Sequence, residues 1–126
     1  MVITKVKEGY LDVPIVLKED IIQRGLYTLK YKNKVVKVGC YGEGVNSNNY
    51  SRFAAYRNKG KNIIPGNGSY KTMKVLNEKL EVGDIVEVTF IELPQDRYFD
   101  GYWWKVDLYA EEQELKSQNS NTLWLS

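Results

Sequence analysis

The chain has 126 residues, a formal net charge of +2 at neutral pH, one cysteine and no histidine. The single cysteine excludes a disulfide framework and zinc sites built on paired cysteines. The absence of histidine excludes histidine-dependent metallonucleases, Ser-His-Asp hydrolases and HExxH metalloproteases. The length is typical of one domain with its own core, and no apolar run reaches the ~18 residues that cross a membrane. We therefore expect one cytoplasmic domain, residues 1–126, without membrane contact.

Turn signals and apolar periodicity divide the chain into strands and helices. Residues 1–24 form an N-terminal extension whose structure the pattern leaves undefined, apart from a short edge strand at 13–17 that Pro14 interrupts. After it, in chain order, the pattern predicts strands at 26–31 and 35–40 joined by a turn, a helix at 50–59 ended by Gly60, a loop at 63–68, a helix from Ser69 to Leu80, a strand at 84–93, a polar aromatic loop at 95–102 and a helix at 104–116.

The order of these elements predicts the fold class. Apolar residues alternate along the strand at 84–93, and Trp104, Leu108 and Leu115 form one stripe of the last helix. The apolar tail at 123–125 is expected to dock back onto the body. The order β-β-α-α-β-α predicts an α+β fold with a small, largely antiparallel, three-stranded sheet flanked by helices.

Four polar residues in the first half of the chain can form a site for a phosphate and a water. Tyr27 and Lys37 lie on the paired strands, where an ammonium close to the phenol favours the phenolate of a group whose ordinary pKa is about 10. Tyr27 can then accept a proton from the attacking water, directly or through Lys37. Arg52 and Tyr56 share one face of the first helix; the arginine fork suits a phosphate, and Tyr56 can bind the same phosphate or the water. The ordinary alternatives are a half-buried tyrosine beside a solvated lysine and a surface arginine packed over a ring.

The last helix carries the acidic residues Glu111, Glu112 and Glu114. Mg²⁺ keeps several waters and binds through one or two carboxylates plus substrate phosphate, so one glutamate is enough for a site. Helical geometry does not choose between Glu111 and Glu112. For the other acidic residues of this helix, a solvated face is the expectation.

Two triplets carry a resemblance to a known family. Gly25-Leu26-Tyr27 and Lys37-Val38-Gly39 resemble the paired signature of the GIY-YIG nucleases, whose core has the same β-β-α-α-β-α order. Arg52 matches the family's arginine on the first helix, and Tyr56 stands where many members have histidine. Lys37 stands where most members have tyrosine. Both substitutions occur in the restriction-endonuclease branch of the family.

The resemblance extends to the last helix. Glu112, three residues before the apolar Leu115, matches the family's metal-binding glutamate, and Asn119 or Asn121 matches an accessory asparagine that follows the helix. The resemblance implies a DNA endonuclease with one Mg²⁺ per active site, in which water attacks the phosphodiester directly. It also implies a compact, type II restriction-like enzyme that forms a homodimer for double-strand cleavage.

Other residues fit DNA binding less specifically. Basic side chains that can contact backbone phosphates are Arg57, Lys59, Lys71 and Lys74; the alternative for each is a solvated helix face. The run Tyr102-Trp103-Trp104 either stacks on bases or anchors the last helix in the core. Two other functions stay open, a non-catalytic nucleic-acid-binding module, which the barrel-like segment 80–86 favours, and a degenerate nuclease fold that binds a partner.

Overall fold

The structure is a computed structural model that describes residues 1–42, 47–61, 63 and 68–125. Its elements are β1 (Val2–Lys7), β2 (Tyr10–Asp12), a 3-10 helix (Lys18–Asp20), β3 (Gly25–Tyr31), β4 (Lys34–Tyr41), α1 (Asn49–Lys61), α2 (Gly68–Lys79), β5 (Ile85–Glu92), β6 (Asp96–Phe99), β7 (Tyr102–Lys105) and α3 (Leu108–Gln118). None of the helices in these residues is long and apolar enough to cross a membrane.

The α+β class and the antiparallel sheet are confirmed, but the number of strands is wrong. The main sheet has five strands in the order β2-β1-β5-β3-β4, and each neighbouring pair is antiparallel. The two additional strands come from the predicted N-terminal extension. Their apolar alternation is not recognisable in the sequence because one buried position of β1 is occupied by Lys5. The Lys5 ammonium donates to the carbonyls of Asn77 (2.6 Å) and Leu80 (2.8 Å) at the end of α2. The predicted edge strand at 13–17 is irregular backbone.

Helices cover both faces of the sheet. Side chains of successive strand residues point to opposite faces, so Leu26 and Tyr27 on β3 enter different cores. Tyr27 belongs to the larger core, which contains Phe53 of α1 and Met73 of α2. Leu26 belongs to the smaller core, which also contains Leu108 at the start of α3. The strand pair β3–β4 therefore lies between α1 and α3.

The predicted turn at 32–34 is confirmed, because Lys32 and Asn33 both have positive φ, as a tight two-residue hairpin requires. Gly60 does not end α1, which continues to Lys61. A Cβ at Gly60 would lie 2.5 Å from the carbonyl oxygen of Leu11, so this glycine serves the close approach of β2. Most of the predicted loop at 63–68 lies outside the described residues.

The segment between β5 and α3 differs most from the prediction. Residues 95–102 are not a loop: β6 and β7 form a separate two-stranded hairpin with its turn at Asp100 and Gly101. The last helix begins at Leu108 rather than Trp104, and the Asp107 side chain caps it by accepting from the Ala110 amide (3.1 Å). Trp104 is therefore not part of the helical stripe.

The apolar tail docks as predicted. The Trp124 amide donates to the Val36 carbonyl on β4 (2.8 Å), and its ring lies 5.3 Å from that of Tyr31.

Candidate active site

A buried pair of tyrosines forms the base of the site. The phenol groups of Tyr27 on β3 and Tyr56 on α1 are hydrogen-bonded to each other, and both side chains are fully buried. Tyr27 pairs with Gly39 on β4, and a Cβ at Gly39 would lie 2.3 Å from the Tyr27 ring. The glycine of the second triplet is therefore needed for the packing of the first triplet's tyrosine.

Arg52 lies over this pair. Its guanidinium carbon is 5.1 Å from the centre of the Tyr56 ring, one helical turn away, and its side chain hydrogen-bonds with Tyr27 and Tyr56. Its Nε is buried without a hydrogen-bond partner, and no carboxylate in the described residues forms an ion pair with it. The pKa of Arg52 is raised because the two tyrosines outweigh the opposing effect of burial. A half-buried cation held by two phenols is suited to an incoming anion.

Lys37 interacts electrostatically with residues of both α1 and α3. It lies on β4 opposite Leu29, two residues before Gly39. Burial lowers its pKa, and the cations of Lys116 and Arg52 lower it further, against the opposing effects of Tyr56 and Glu112. Charged and polar groups on both α1 and α3 thus influence the pKa of Lys37.

Glu112 is the acidic residue beside Lys37. Burial alone would raise its pKa, but hydrogen bonds from Cys40 and Lys116 and the charges of Lys116 and Lys37 leave the pKa below its usual value. Its Oε1 lies 2.8 Å from the Lys116 ammonium. Glu111 points elsewhere and forms an ion pair with Arg97 on β6 (2.7 Å). The structure thus places Glu112, rather than Glu111, in the cluster.

Contacts and electrostatic interactions link the five predicted site residues, which come from four elements, and they include one residue that the sequence analysis missed. We call Tyr27, Lys37, Arg52, Tyr56 and Glu112, with Lys116, the central cluster. The signal for Lys116 was its position four residues after Glu112, where oppositely charged side chains meet on a helix. The cluster contains three cationic side chains and one carboxylate.

The predicted accessory asparagines do not contact the central cluster among the described residues. Asn119 is the residue that follows α3, and its side-chain amide nitrogen donates to the Leu115 carbonyl (2.9 Å). It lies seven positions after Glu112, which corresponds to a rise of roughly 10 Å, so the two side chains are too far apart along the helix to share one ion. Asn121 is exposed in the following turn.

The predicted phosphate-binding residues are spread over two helices. Arg57 and Lys59 are half-buried on α1, whereas Lys71 and Lys74 are exposed on α2. The Lys74 ammonium lies 3.9 Å from Glu78, one turn away. Within the described part of the chain, none of the four forms a side-chain hydrogen bond or an ion pair with the central cluster.

The pKa of Tyr27 changes in the opposite direction from the prediction. Burial raises it well above its ordinary value, the neighbouring Tyr56 raises it further, and Arg52 opposes both. Tyr27 is therefore a neutral phenol at pH 7. The expected lowering of the Tyr27 pKa is therefore wrong. Burial instead lowers the pKa of Lys37, which makes the neutral amine of this lysine more accessible.

Comparisons with known proteins do not assign the chain to a family: no family model matches the chain, and no curated protein or solved structure matches it. The GIY-YIG resemblance stays a prediction. In the described residues, no three His, Cys, Asp or Glu side chains cluster so that they could hold a metal ion by themselves.

Proposed function

We propose that this protein is a Mg²⁺-dependent DNA endonuclease of the GIY-YIG type that hydrolyses phosphodiester bonds by direct attack of water. The observation that carries the proposal is the central cluster, in which Lys37 interacts electrostatically with both Arg52 and Glu112, and Arg52 lies over the buried tyrosine pair. Its excess of positive charge favours a phosphate, and its single carboxylate is the donor that a phosphate-bound Mg²⁺ requires.

Burial separates the roles of the residues. Lys37, Arg52 and Glu112 are partly exposed and can meet the DNA, whereas Tyr27 and Tyr56 are fully buried. Lys37 in its neutral form accepts the proton of the attacking water, and the Arg52 fork binds the phosphate oxygens and stabilises the charge that develops on them. Tyr27 and Tyr56 are positioning residues, because their hydrogen bonds hold Arg52 in place.

Glu112 fits the role of metal ligand because its lowered pKa keeps it ionised. A Mg²⁺ bound there with the substrate phosphate would supply Lewis acidity and stabilise the leaving oxygen. Lys116 has to release Glu112 for this. Because three cations surround one carboxylate, we expect the DNA phosphate to supply the negative charge that lets Mg²⁺ bind.

The proposal is tested by cleavage of supercoiled plasmid in Mg²⁺. Glu112→Gln and Arg52→Ala are expected to reduce the cleavage rate by about 100-fold, the usual effect of removing one group that stabilises transition-state charge. Glu114→Gln, at an exposed glutamate of the same helix, is the matched control and is expected to cleave at the wild-type rate, once circular dichroism shows that all variants fold. An inactive wild-type protein, or equal activity of Glu112→Gln and wild type, would contradict the proposal.

The role of Lys37 as base is tested by Lys37→Arg, which keeps the positive charge but cannot lose its proton at accessible pH. We expect this variant to be inactive. In the wild type, the cleavage rate is expected to rise with pH until it levels off below 10.5, since Lys37 must be neutral to act and its pKa is lowered from that value. If Lys37→Arg cleaves normally, Lys37 acts only as a cation.

A second function, DNA binding without cleavage, has one observation in its favour, the ion pair that Lys116 forms with Glu112. Wild-type protein that binds plasmid but leaves it intact at any Mg²⁺ concentration would establish it. With one site per chain, double-strand cleavage requires a dimer or two successive binding events, and the type II restriction-like homodimer is part of the proposal.

A further inference from the structure

The β6–β7 hairpin exposes more aromatic surface than any other described part of the chain. All eight strand residues are exposed, and five of them are aromatic. The exposed fractions are 63% for Tyr98, 72% for Phe99, 68% for Tyr102, 71% for Trp103 and 56% for Trp104. Exposed apolar patches of this kind mark binding surfaces in soluble proteins.

The rings are held in fixed positions. The turn at Asp100 and Gly101 has positive φ at both residues, which is the geometry of a tight hairpin. Trp104 Nε1 donates to the Phe99 carbonyl (3.0 Å), and the rings of Tyr98 and Trp103 pack edge to face with centroids 5.4 Å apart. A preorganised set of rings loses little conformational freedom on binding.

Aromatic side chains occupy both faces of this ribbon. Cross-strand pairing joins Tyr98 with Trp103 and Phe99 with Tyr102, and neighbouring pairs point to opposite faces. A protein surface that docks on one face would leave the rings of the other in water. Stacked bases can contact both faces of an inserted ribbon, and residues 96–105 contain no aliphatic Leu, Ile, Val or Met that would favour a protein core instead.

The hairpin is also fixed to the helix that carries the candidate metal ligand. Arg97 on β6 forms its ion pair with Glu111, the residue before Glu112, and the Val106 amide donates to the Gln95 carbonyl (2.8 Å) at the base of the hairpin. Val106 and Leu108 are both buried in the smaller core. A nucleic acid held at Glu112 therefore lies on the helix to which this aromatic hairpin is attached.

We propose that the β6–β7 hairpin inserts its rings between base pairs of the bound DNA and unstacks them beside the phosphodiester in the central cluster. This inference rests on the proposed function, since the continuity with that site selects DNA as the occupant. The hairpin acts as an apolar wedge, and stacking on its rings replaces the base stacking that is lost.

The experiment measures binding and unstacking without added metal, so that no cleavage occurs. The probes are short duplexes with 2-aminopurine at successive positions, whose fluorescence rises when the base is unstacked. Wild-type protein is expected to raise the signal. Trp103→Ala and Phe99→Ala, one substitution on each face, are expected to abolish that rise and to weaken binding by about tenfold. Tyr109→Ala, an exposed aromatic on α3, is the matched control and is expected to behave as wild type.

The outcomes separate the wedge from the nuclease. If wild-type protein cleaves plasmid while the hairpin variants bind and unstack DNA normally, the wedge is overturned and the nuclease stands. If wild-type protein never cleaves but the hairpin variants lose binding and unstacking, the nuclease falls and the wedge stands. If sedimentation shows that Trp103→Ala dissociates a dimer while the wild type gives no 2-aminopurine signal, the hairpin is a protein interface and the wedge is overturned.

Discussion

Two aromatic clusters of this protein use similar ring geometry in opposite environments. Tyr27, Phe53 and Tyr56 pack edge to face with ring centroids 5.1–6.1 Å apart and are fully buried. Tyr98 and Trp103 of the hairpin pack edge to face at 5.4 Å and are mostly exposed. Ring contacts are therefore not what distinguishes the clusters. The first is stabilised by removal from water, whereas the rings of the second stay largely in contact with water.

The largest expected difference comes from removing one phenylalanine from each cluster. Phe53→Ala deletes a fully buried ring and is expected to lower the free energy of unfolding by about 3–5 kcal/mol. Phe99→Ala deletes a mostly exposed ring and is expected to change it by less than about 0.5 kcal/mol. Urea denaturation followed by far-ultraviolet circular dichroism measures both. A loss of more than 2 kcal/mol in Phe99→Ala would show that the hairpin rings stabilise the fold, and the comparison would fail.

A smaller difference is expected from removing a hydroxyl group. Tyr27→Phe leaves the buried Tyr56 phenol without its partner hydroxyl and is expected to cost about 1–3 kcal/mol of unfolding free energy. Tyr98→Phe removes an exposed hydroxyl and is expected to have almost no effect. The same denaturation experiment applies. Equal stability of the two variants would mean that the buried phenol pair contributes nothing net.

The smallest expected effect is on alkaline stability. The folded-state pKa of Tyr27 is raised above its unfolded value near 10, so its contribution is fully present below that pH and is lost as the pH rises through the folded-state pKa. Unfolding free energy should fall by at most about 1.4 kcal/mol per pH unit from this group. Denaturation at several values above pH 10 should show a shallower fall in Tyr27→Phe than in Tyr98→Phe. Identical slopes would contradict the raised pKa.

Periodicity predicted the parts of the fold in which burial follows residue type. Val86 and Val88 on β5 and Met73 on α2 are buried where the pattern placed them. The pattern failed where burial and residue type disagree. Lys5 is buried because α2 offers two carbonyls to its ammonium, and β1 was missed for that reason. The β6–β7 hairpin was missed because both of its faces are exposed, although Asp100-Gly101 is a strong hairpin signal.

The residues of the site could be predicted more fully than their chemistry. The order and spacing of Tyr27, Lys37, Arg52 and Tyr56 depend on local strand and helix geometry, which sequence indicates. The direction of a pKa change depends on burial in the tertiary structure. For that reason the sequence suggested a lowered pKa for Tyr27, whereas burial raises the pKa of Tyr27 and lowers that of Lys37.

The docked tail has a consequence for association between molecules. β4 is the outer strand of the main sheet, and an unpaired outer strand is a template for pairing with a second molecule. The Thr122 hydroxyl donates to the Val35 carbonyl (2.6 Å) and the Trp124 amide to the Val36 carbonyl (2.8 Å). These two hydrogen bonds use the carbonyl groups of the residues just before Lys37. The tail therefore covers the edge of β4 next to this residue of the central cluster and hinders the pairing of β4 with a second molecule there.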